Sequence, residues 1–445
     1  MTAVLISKHY PRDEQLSGWF HCLPTAKELP RLEQTVNADV VIVGAGFAGL
    51  SAAKRLFDND PNLTVVVLEA QGLAWAGCGR NSGFMIDLPH ELNSHNYSSE
   101  QSHDLAQIEE NRLAIDFADE LVNQFEIGSA FERVGKYHGA TNGAGLKALQ
   151  EYSLHLTALN EPFTELSASD LQRVTGSQYY DGGIYTPNAA LIQPAAYIQG
   201  LGQALHNQSN ITVFEHSPVV SIAPHTDGVT VATEFGKVQA SKAILANNGF
   251  IESFGIAKGR LLHLFTYASM TEELDDKQLA QLGEPSSWGL IPAAPMGTTL
   301  RKLSSRRFLV RNQWTYNPDI ESSNSQMQRY AKQHDACFLR RYPSLADVKM
   351  EHRWSGPIAM TMNGVPVFGE VTDNVFAAAC CLGLGTTKST LYGMMMADKL
   401  TGNSSDIMTR LENSAPPAYL TPRFLNQIGV PAYLKWTHWR AGNDL

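Results

Sequence analysis

Asp39-Val-Val-Ile-Val-Gly-Ala-Gly-Phe-Ala-Gly49, followed by a helical stretch and then Thr64-Val-Val-Val-Leu-Glu-Ala70, carries the architecture of this chain. The β-branched run Val40 to Val43 predicts a strand that ends at Gly44. Gly44, Gly46 and Gly49 stand at GxGxxG spacing, and Phe47, Leu50, Ala53 and Leu56 continue at helical period. Glu69 closes a second strand-like run twenty positions beyond Gly49. Each part has a physical role. Gly44 permits a tight turn, Gly46 lets backbone approach a pyrophosphate, and Gly49 lets helix and strand pack closely. Ala45, Phe47 and Ala48 share that turn, where the unpaired N–H groups of the helix start meet phosphate. Glu69, with Ala70 beside it, is an acceptor placed for an adenosine ribose. Strand, turn, helix, strand and terminal glutamate together predict a dinucleotide site without naming the dinucleotide.

The bulk composition narrows the class. A chain of 445 residues exceeds what one hydrophobic core usually serves, so two interlocked domains are expected. Lys and Arg total 34 against 44 Asp and Glu, a net charge of −10. That balance argues against a nucleic-acid partner and offers no polybasic membrane stripe. Five cysteines (Cys22, Cys78, Cys337, Cys380, Cys381) form neither a disulfide framework nor a zinc pattern, and no metal site is expected. Adjacent Cys380 and Cys381 lie in an Ala-rich apolar run and read as two buried thiols. No stretch has signal-peptide or transmembrane character, so the expectation is a soluble cytoplasmic protein without a membrane span.

Residues 1–36 lack periodicity and read as an arm laid over the body. A long amphipathic helix is predicted from Gln101 to Phe125, a second around Leu146 to Leu159, and a capped start at Ser169. Pro194 opens a helix through about Asn207, and Ile211 to Glu215 reads as a strand. Val219–Ile222, Val229–Thr233 and Val238–Asn247 alternate as a meander that leads back to the first sheet. A β-rich region follows at Leu262–Met270, Thr298–Leu303 and Arg307–Trp314, then a polar helix from Ser322 to Arg341. Another strand precedes Gly383-Leu-Gly385 and a helix from Thr386 to Leu400.

Three segments beyond the opening motif are candidates for building a site. Ala76-Gly-Cys-Gly79-Arg80-Asn81-Ser82-Gly83-Phe84 exposes backbone and strong donors, suited to phosphate and a flat polar ring, although a solvated loop has the same composition. His352-Arg-Trp-Ser-Gly356-Pro357 with Thr361 to Gly369 reads as a turn-rich segment between strands, structural or functional. Gly383-Leu384-Gly385-Thr386-Thr387-Lys388 opens the last helix, whose N-terminus and Lys388 can stabilise a developing negative charge. A solvated Lys388 is the alternative.

Together these segments resemble the flavin amine oxidases of the D-amino-acid oxidase, glycine oxidase and sarcosine oxidase superfamily, in its gamma-glutamylputrescine oxidoreductase-like branch. The likeness rests on Gly44 to Gly49 with Glu69, Gly77 to Gly83, His352 to Gly356 with Asn363 to Pro366, and Gly383 to Gly385, spread over residues 37 to 400. It implies an α/β FAD-binding Rossmann-like domain, discontinuous over 37–90, 185–255 and 350–405. An α+β substrate domain of β-sheet plus helices would span 91–184 and 256–349, with a C-terminal tail at 406–445. It further implies FAD, with ribose on Glu69, pyrophosphate on Gly46 to Ala48, adenine near Val219, and Asn247 and Asn248 as a second nucleotide contact. The flavin ring would lie near Arg80 to Gly83 and the Gly383–Thr387 helix start.

The chain departs from the family in three places. Leu384 replaces a common His, Cys78 replaces a serine, and Met360 and Met362 stand where sarcosine oxidases carry a flavin-linking cysteine. Non-covalent FAD is therefore expected. The resemblance implies hydride transfer from the α-carbon of a primary or secondary amine to flavin N5, then hydrolysis of the imine to an aldehyde or keto product. Oxygen would be reduced to H2O2, or another acceptor used. Catalytic candidates are Lys388, Tyr267 and Arg301, with Trp288 and Arg311 as further substrate contacts. An FAD-binding protein without amine turnover is the reading from a different class.

Overall fold

The computed structural model describes residues 3–7, 9–12, 15–89, 101–128 and 130–445. Its first sheet has nine strands, and its parallel core runs Ile211–Phe214, Val65–Leu68, Thr35–Val43, Lys237–Leu245 and Val375–Ala379. These strands are valine-, isoleucine- and alanine-rich because both faces of their inner segments are covered; Val40 to Val43 and Val65 to Leu68 are buried. The sheet thus draws on stretches of sequence far apart, as the predicted returns of the chain require. Gly228–Ala232 and Ser221–His225 extend it antiparallel, and the arm adds a two-residue strand, Leu5–Ile6, at that edge.

Helix Phe47–Asn59 starts at Gly46 and packs along helix Gly385–Leu400. Gly393 makes that approach possible, since a Cβ there would stand 2.1 Å from the Ala48 carbonyl oxygen. Both helix N-termini therefore open at the same end of the sheet, above the carboxyl ends of Thr35–Val43 and Val375–Ala379.

The second sheet has eight strands in the order Met350–Met360, Leu262–Thr271, Phe308–Tyr316, Thr299–Lys302, Trp288–Pro292, Lys136–Ala140, Gly182–Thr186 and Thr164–Ser167. Three core strands were expected in this region and form with shifted ends. The segment read as turn-rich at His352–Pro357 lies inside the eleven-residue strand Met350–Met360. Cross-strand pairing with Leu262–Thr271 outweighs the weak strand propensity of Gly356 and Pro357. Proline is tolerated because this strand forms the edge of the sheet.

Two further differences concern helices. The helix expected to start at Ser169 is capped two residues earlier, by Ser167 in a capping box with Asp170. The expected tail at 406–445 instead holds helices Asp406–Asn413 and Arg423–Ala441. The domain division drawn at residues 90 and 91 lies outside the described residues. No helix among the described residues is long and apolar enough to cross a membrane, and they hold no cluster of metal-ligating side chains.

Candidate active site

The glycine turn is built as its spacing requires. Gly44 has φ +104°, and a Cβ on Gly49 would stand 1.9 Å from the Gly44 carbonyl oxygen. Around Gly46 the only neighbour within 4 Å of an added Cβ is Cys78, at 3.6 Å and beyond, so that side is open. Glu69 is buried, and its carboxylate accepts from the backbone N–H of Ala45 at 3.0 Å and of Gln71 at 3.1 Å. Burial raises its pKa above the usual carboxylate range, against the lowering effect of those donors. Val43, Gly44, Glu69, Ala70, Val219, Asn247, Asn248 and Gly249 line a recess here, closed on the outside by His9, Tyr10 and Pro11 of the arm.

This recess is continuous with a second cleft through Gly46, Gly77, Cys78, Ala246, Asn248, Pro357 and Ile358. One wall is the loop Gly77 to Phe84. A Cβ on Gly79 would meet the Ala74 carbonyl oxygen at 1.9 Å, which holds the loop in a tight short helix. The Arg80 guanidinium donates to the carbonyls of Trp75 at 2.7 Å, Ser355 at 3.2 Å and Gln15. It thereby fastens arm, loop and second sheet together. Asn81 bridges Cys78 and Gly83, donating at 2.8 Å and accepting at 2.8 Å. The half-buried Cys78 thiol is pushed up to about 12, first by desolvation and then by the Glu69 charge.

The facing wall is the turn after Val375–Ala379. Cys380, Leu382 and Gly383 all have positive φ (69°, 53° and 84°), two of them in a conformation that disfavours side chains. The Asn248 side chain holds the turn by accepting from Cys381 N at 3.0 Å, and Leu382 N donates to Ala359 at 3.1 Å. Gly383, Leu384, Gly385 and Thr386 then line the cleft at the helix start, where the Leu384 N–H donates to the Cys381 carbonyl at 3.1 Å and the first-turn N–H groups of Gly385 and Thr386 lack an intrahelical acceptor. Thr386 donates to the Phe84 carbonyl, and the Thr387 hydroxyl accepts from Ile86 N at 3.1 Å, which ties the two walls together.

The three residues named as catalytic candidates lie elsewhere. Lys388 turns away from the cleft, and its ammonium donates to Glu110 at 3.0 Å, a carboxylate shared with Arg410. The 100° step of a helix carries position 388 onto the side that packs on Gln101–Gln124. Tyr267 points to the opposite face of its strand from Thr266, bonding the Thr315 hydroxyl at 2.9 Å and lying 4.5 Å from the Tyr330 ring. Arg301 donates to the carbonyls of Ser82, Gly83 and Ile192 at 3.0, 2.9 and 2.8 Å, bracing the loop from behind. Trp288 is buried in the core below, donating to Leu282.

Arg311 does reach the cleft, at the end beyond the loop, together with Thr266, Ile291, Pro292, Met296, Thr299 and Trp314. Its guanidinium has no carboxylate partner among the described residues, and burial alone pulls its pKa down to about 10. Among the described residues, none of the side chains lining this cleft is Asp, Glu, His or Lys. Sequence reasoning missed Trp314, Thr266 and the 294–297 rim. The arm residues His9 and Tyr10 also went unassigned, since only tertiary docking brings them to the recess.

A glycine cradle, a buried carboxylate beside it and a recess that shares part of its lining with a second cleft fit a dinucleotide. Comparison with known proteins identifies the group. The chain belongs to the FAD-dependent oxidoreductase family denoted DAO, whose sequence model matches residues 39–399, and FAD is its cofactor. It is 26% identical over 419 residues to a probable oxidoreductase, OrdL, of Haemophilus influenzae, covering 91% of this chain and 93% of that one. It is 27% identical over 393 residues to gamma-glutamylputrescine oxidoreductase of Escherichia coli, covering 84% and 86%. Glycine oxidase from Geobacillus kaustophilus superposes with a TM-score of 0.69 at 17% identity, over 83% of this chain and 96% of that chain.

Proposed function

We propose that this oxidoreductase oxidises a primary or secondary amine that also carries a carboxylate. The observation that carries the reading is Arg311, a cation without a counter-ion among the described residues, facing a mostly apolar cleft. Such a charge is costly to desolvate alone and matches a carboxylate in bidentate geometry. The relatives support the donor class: one is named for glycine, and the other for gamma-glutamylputrescine, a compound with both a carboxylate and an amine.

Bound FAD, held without a covalent link, supplies the two-electron acceptor in its ring. The chain supplies orientation and electrostatics. Arg311 would hold the carboxylate, while Trp314, Ile291 and Met296 exclude water from the C–N bond being oxidised. The N–H groups at Gly385 to Thr387 would favour negative charge on the neighbouring ring. Among the described residues no lining side chain is a carboxylate, imidazole or ammonium that would act as a general base, so the substrate amine would arrive neutral and leave as an imine, which water hydrolyses to an aldehyde or keto product. The electrons pass to O2, giving H2O2.

An anaerobic screen of flavin bleaching tests this reading. It would use N-methyl amino acids, D-amino acids, gamma-glutamylated amines and their counterparts without a carboxylate. Bleaching by the carboxylated members supports the reading. Bleaching only by amines lacking an anionic group rejects the role of Arg311, and no bleaching by any amine rejects amine oxidation. Peroxide release in air assigns O2 as the acceptor, whereas turnover only with an added dye assigns another.

A further inference from the structure

Helix Arg423–Ala441 presents two unlike faces. Asn426, Leu434, Thr437 and Ala441 are buried, and Leu434 packs with Trp314 and Leu264. On the outer side Phe424, Leu425, Ile428, Trp436 and Trp439 follow one another at three- and four-residue steps through Ala432. All five are exposed, Ile428 at 72% and Trp439 at 77%. Tyr419 and Met362 are likewise exposed, at 72% and 66%. Their segments are joined by Asn363, which donates to the Pro416 carbonyl and accepts from Ala418 N, each at 3.0 Å.

The charges on this face point to its partner. Helix Arg423–Ala441 contains no Asp or Glu, in a chain whose net charge is −10. Arg423 is paired with Asp319, and His438 is turned inward, accepting from Trp314 N at 3.2 Å. Lys435 and Arg440 are exposed with no carboxylate partner among the described residues, as is Lys258 beside the Leu420–Gly259 contact. Arg440 lies 4.9 Å from the Trp436 ring centre. Two copies meeting across a twofold axis would bring these cations together without an acid. An anionic lipid surface satisfies the apolar stripe and the cations at once, with tryptophans at the headgroup level and lysine stems reaching to the phosphates.

We propose that helix Arg423–Ala441 docks this oxidoreductase onto anionic lipid surfaces, lying in the interface without spanning it. The helix packs through Leu434 on Trp314, which lines the substrate end of the cleft. Beyond it, Asp444 binds the rim through Ala294 N at 3.1 Å and Thr298 N at 2.7 Å, so docking would set the cleft rim close to the lipid. This inference is independent of the amine reading.

Sedimentation of the holoenzyme with vesicles tests it, comparing pure phosphatidylcholine with phosphatidylcholine containing roughly a third phosphatidylglycerol. The protein is expected to pellet with the anionic vesicles, with a blue shift of tryptophan emission, and to be released by high salt. Lys435→Gln with Arg440→Gln should weaken partitioning by about tenfold or more, at about fivefold for each basic residue lost. Ile428→Ser with Trp439→Ser should abolish it, with flavin absorbance and Tm held as the check on folding. Failure of the holoenzyme to pellet overturns the proposal, as does pelleting that ignores both pairs of substitutions. A dimer in sedimentation velocity that Trp439→Ser dissociates would give the face to a second copy and also overturn it.

Discussion

The Arg311 guanidinium carbon lies 5.2 Å from the centre of the Trp314 ring, so cation and indole share one face of their strand at the end of the FAD cleft. The ring shields one side of the charge and leaves the rest of the fork facing the cleft. Arg311→Leu should therefore weaken binding of carboxylate inhibitors by about ten- to a hundredfold, the worth of a charge-assisted contact of about 1.5–3 kcal/mol. Titrating acetate or benzoate against the flavin spectrum measures it, and an unchanged Kd removes Arg311 from the substrate site. Arg311→Lys should recover only part of the affinity, because an ammonium lacks the planar fork.

Lys388 gives a contrasting expectation. Its partner is Glu110, so Lys388→Met should leave the rate of flavin reduction close to wild type in stopped flow. The same change should cost about 1–3 kcal/mol of stability, because Glu110 keeps only Arg410 inside a buried site. A large loss of reduction rate with unchanged Tm would restore Lys388 to the chemistry.

The glycine cradle can be probed by two alanines. At Gly49 a Cβ would collide with the Gly44 carbonyl, so Gly49→Ala should fail to fold or lose several kcal/mol. At Gly46 the added methyl makes only ordinary contact with Cys78. Gly46→Ala should keep the Tm of the apoprotein while weakening FAD by on the order of ten- to a hundredfold, the effect of roughly 1–3 kcal/mol of crowding against the cofactor. Equilibrium dialysis of FAD reads the difference.

Acid precipitation should leave the flavin in the supernatant. The Cys78 thiol, pushed up to about 12, stays protonated and unreactive at neutral pH, and iodoacetamide should leave it unmodified in the holoenzyme. Yellow colour that stays with the precipitate would overturn non-covalent attachment.

With no Asp, Glu, His or Lys among the described residues that line the cleft, the pH dependence should belong to the substrate. Deprotonation makes the reactive amine, so kcat/KM is expected to rise with pH and level off above the amine's own pKa. Profiles for two amines of different basicity should shift with the amine. A common bend at one pH would point to an ionising group of the protein.

The dinucleotide unit was legible because its determinants are local. Gly44, Gly46 and Gly49 specify a turn, and Glu69 ends the next strand, all within about thirty residues. The directions of Lys388 and Tyr267 were not legible in the sequence because they depend on which face of an element each occupies. Arg311 could not be selected from the four candidates of its region by alternation. A bulge at Gln313, with φ +61°, lets Thr266 pair with Trp314 and Tyr267 with Asn312, so Arg311 and Trp314 share a face although three positions separate them. The edge strand through Gly356 and Pro357 was equally hidden, since its propensities are poor and its pairing partner lies about ninety residues earlier.

Sequence alone determined the cofactor cradle and the Rossmann-like strands around it, because glycine conformations and β-branched runs act over a few residues. Tertiary structure decided which cation meets the substrate, since a bulge and cross-strand pairing set the direction of Arg311. It also decided that Arg80 and Arg301 serve as braces, their guanidiniums engaged by carbonyls from distant segments. The apolar outer face of helix Arg423–Ala441 belongs to the same class of fact. A helical period can be found in its sequence, but only docking of Leu434 against Trp314 determines which side is left exposed.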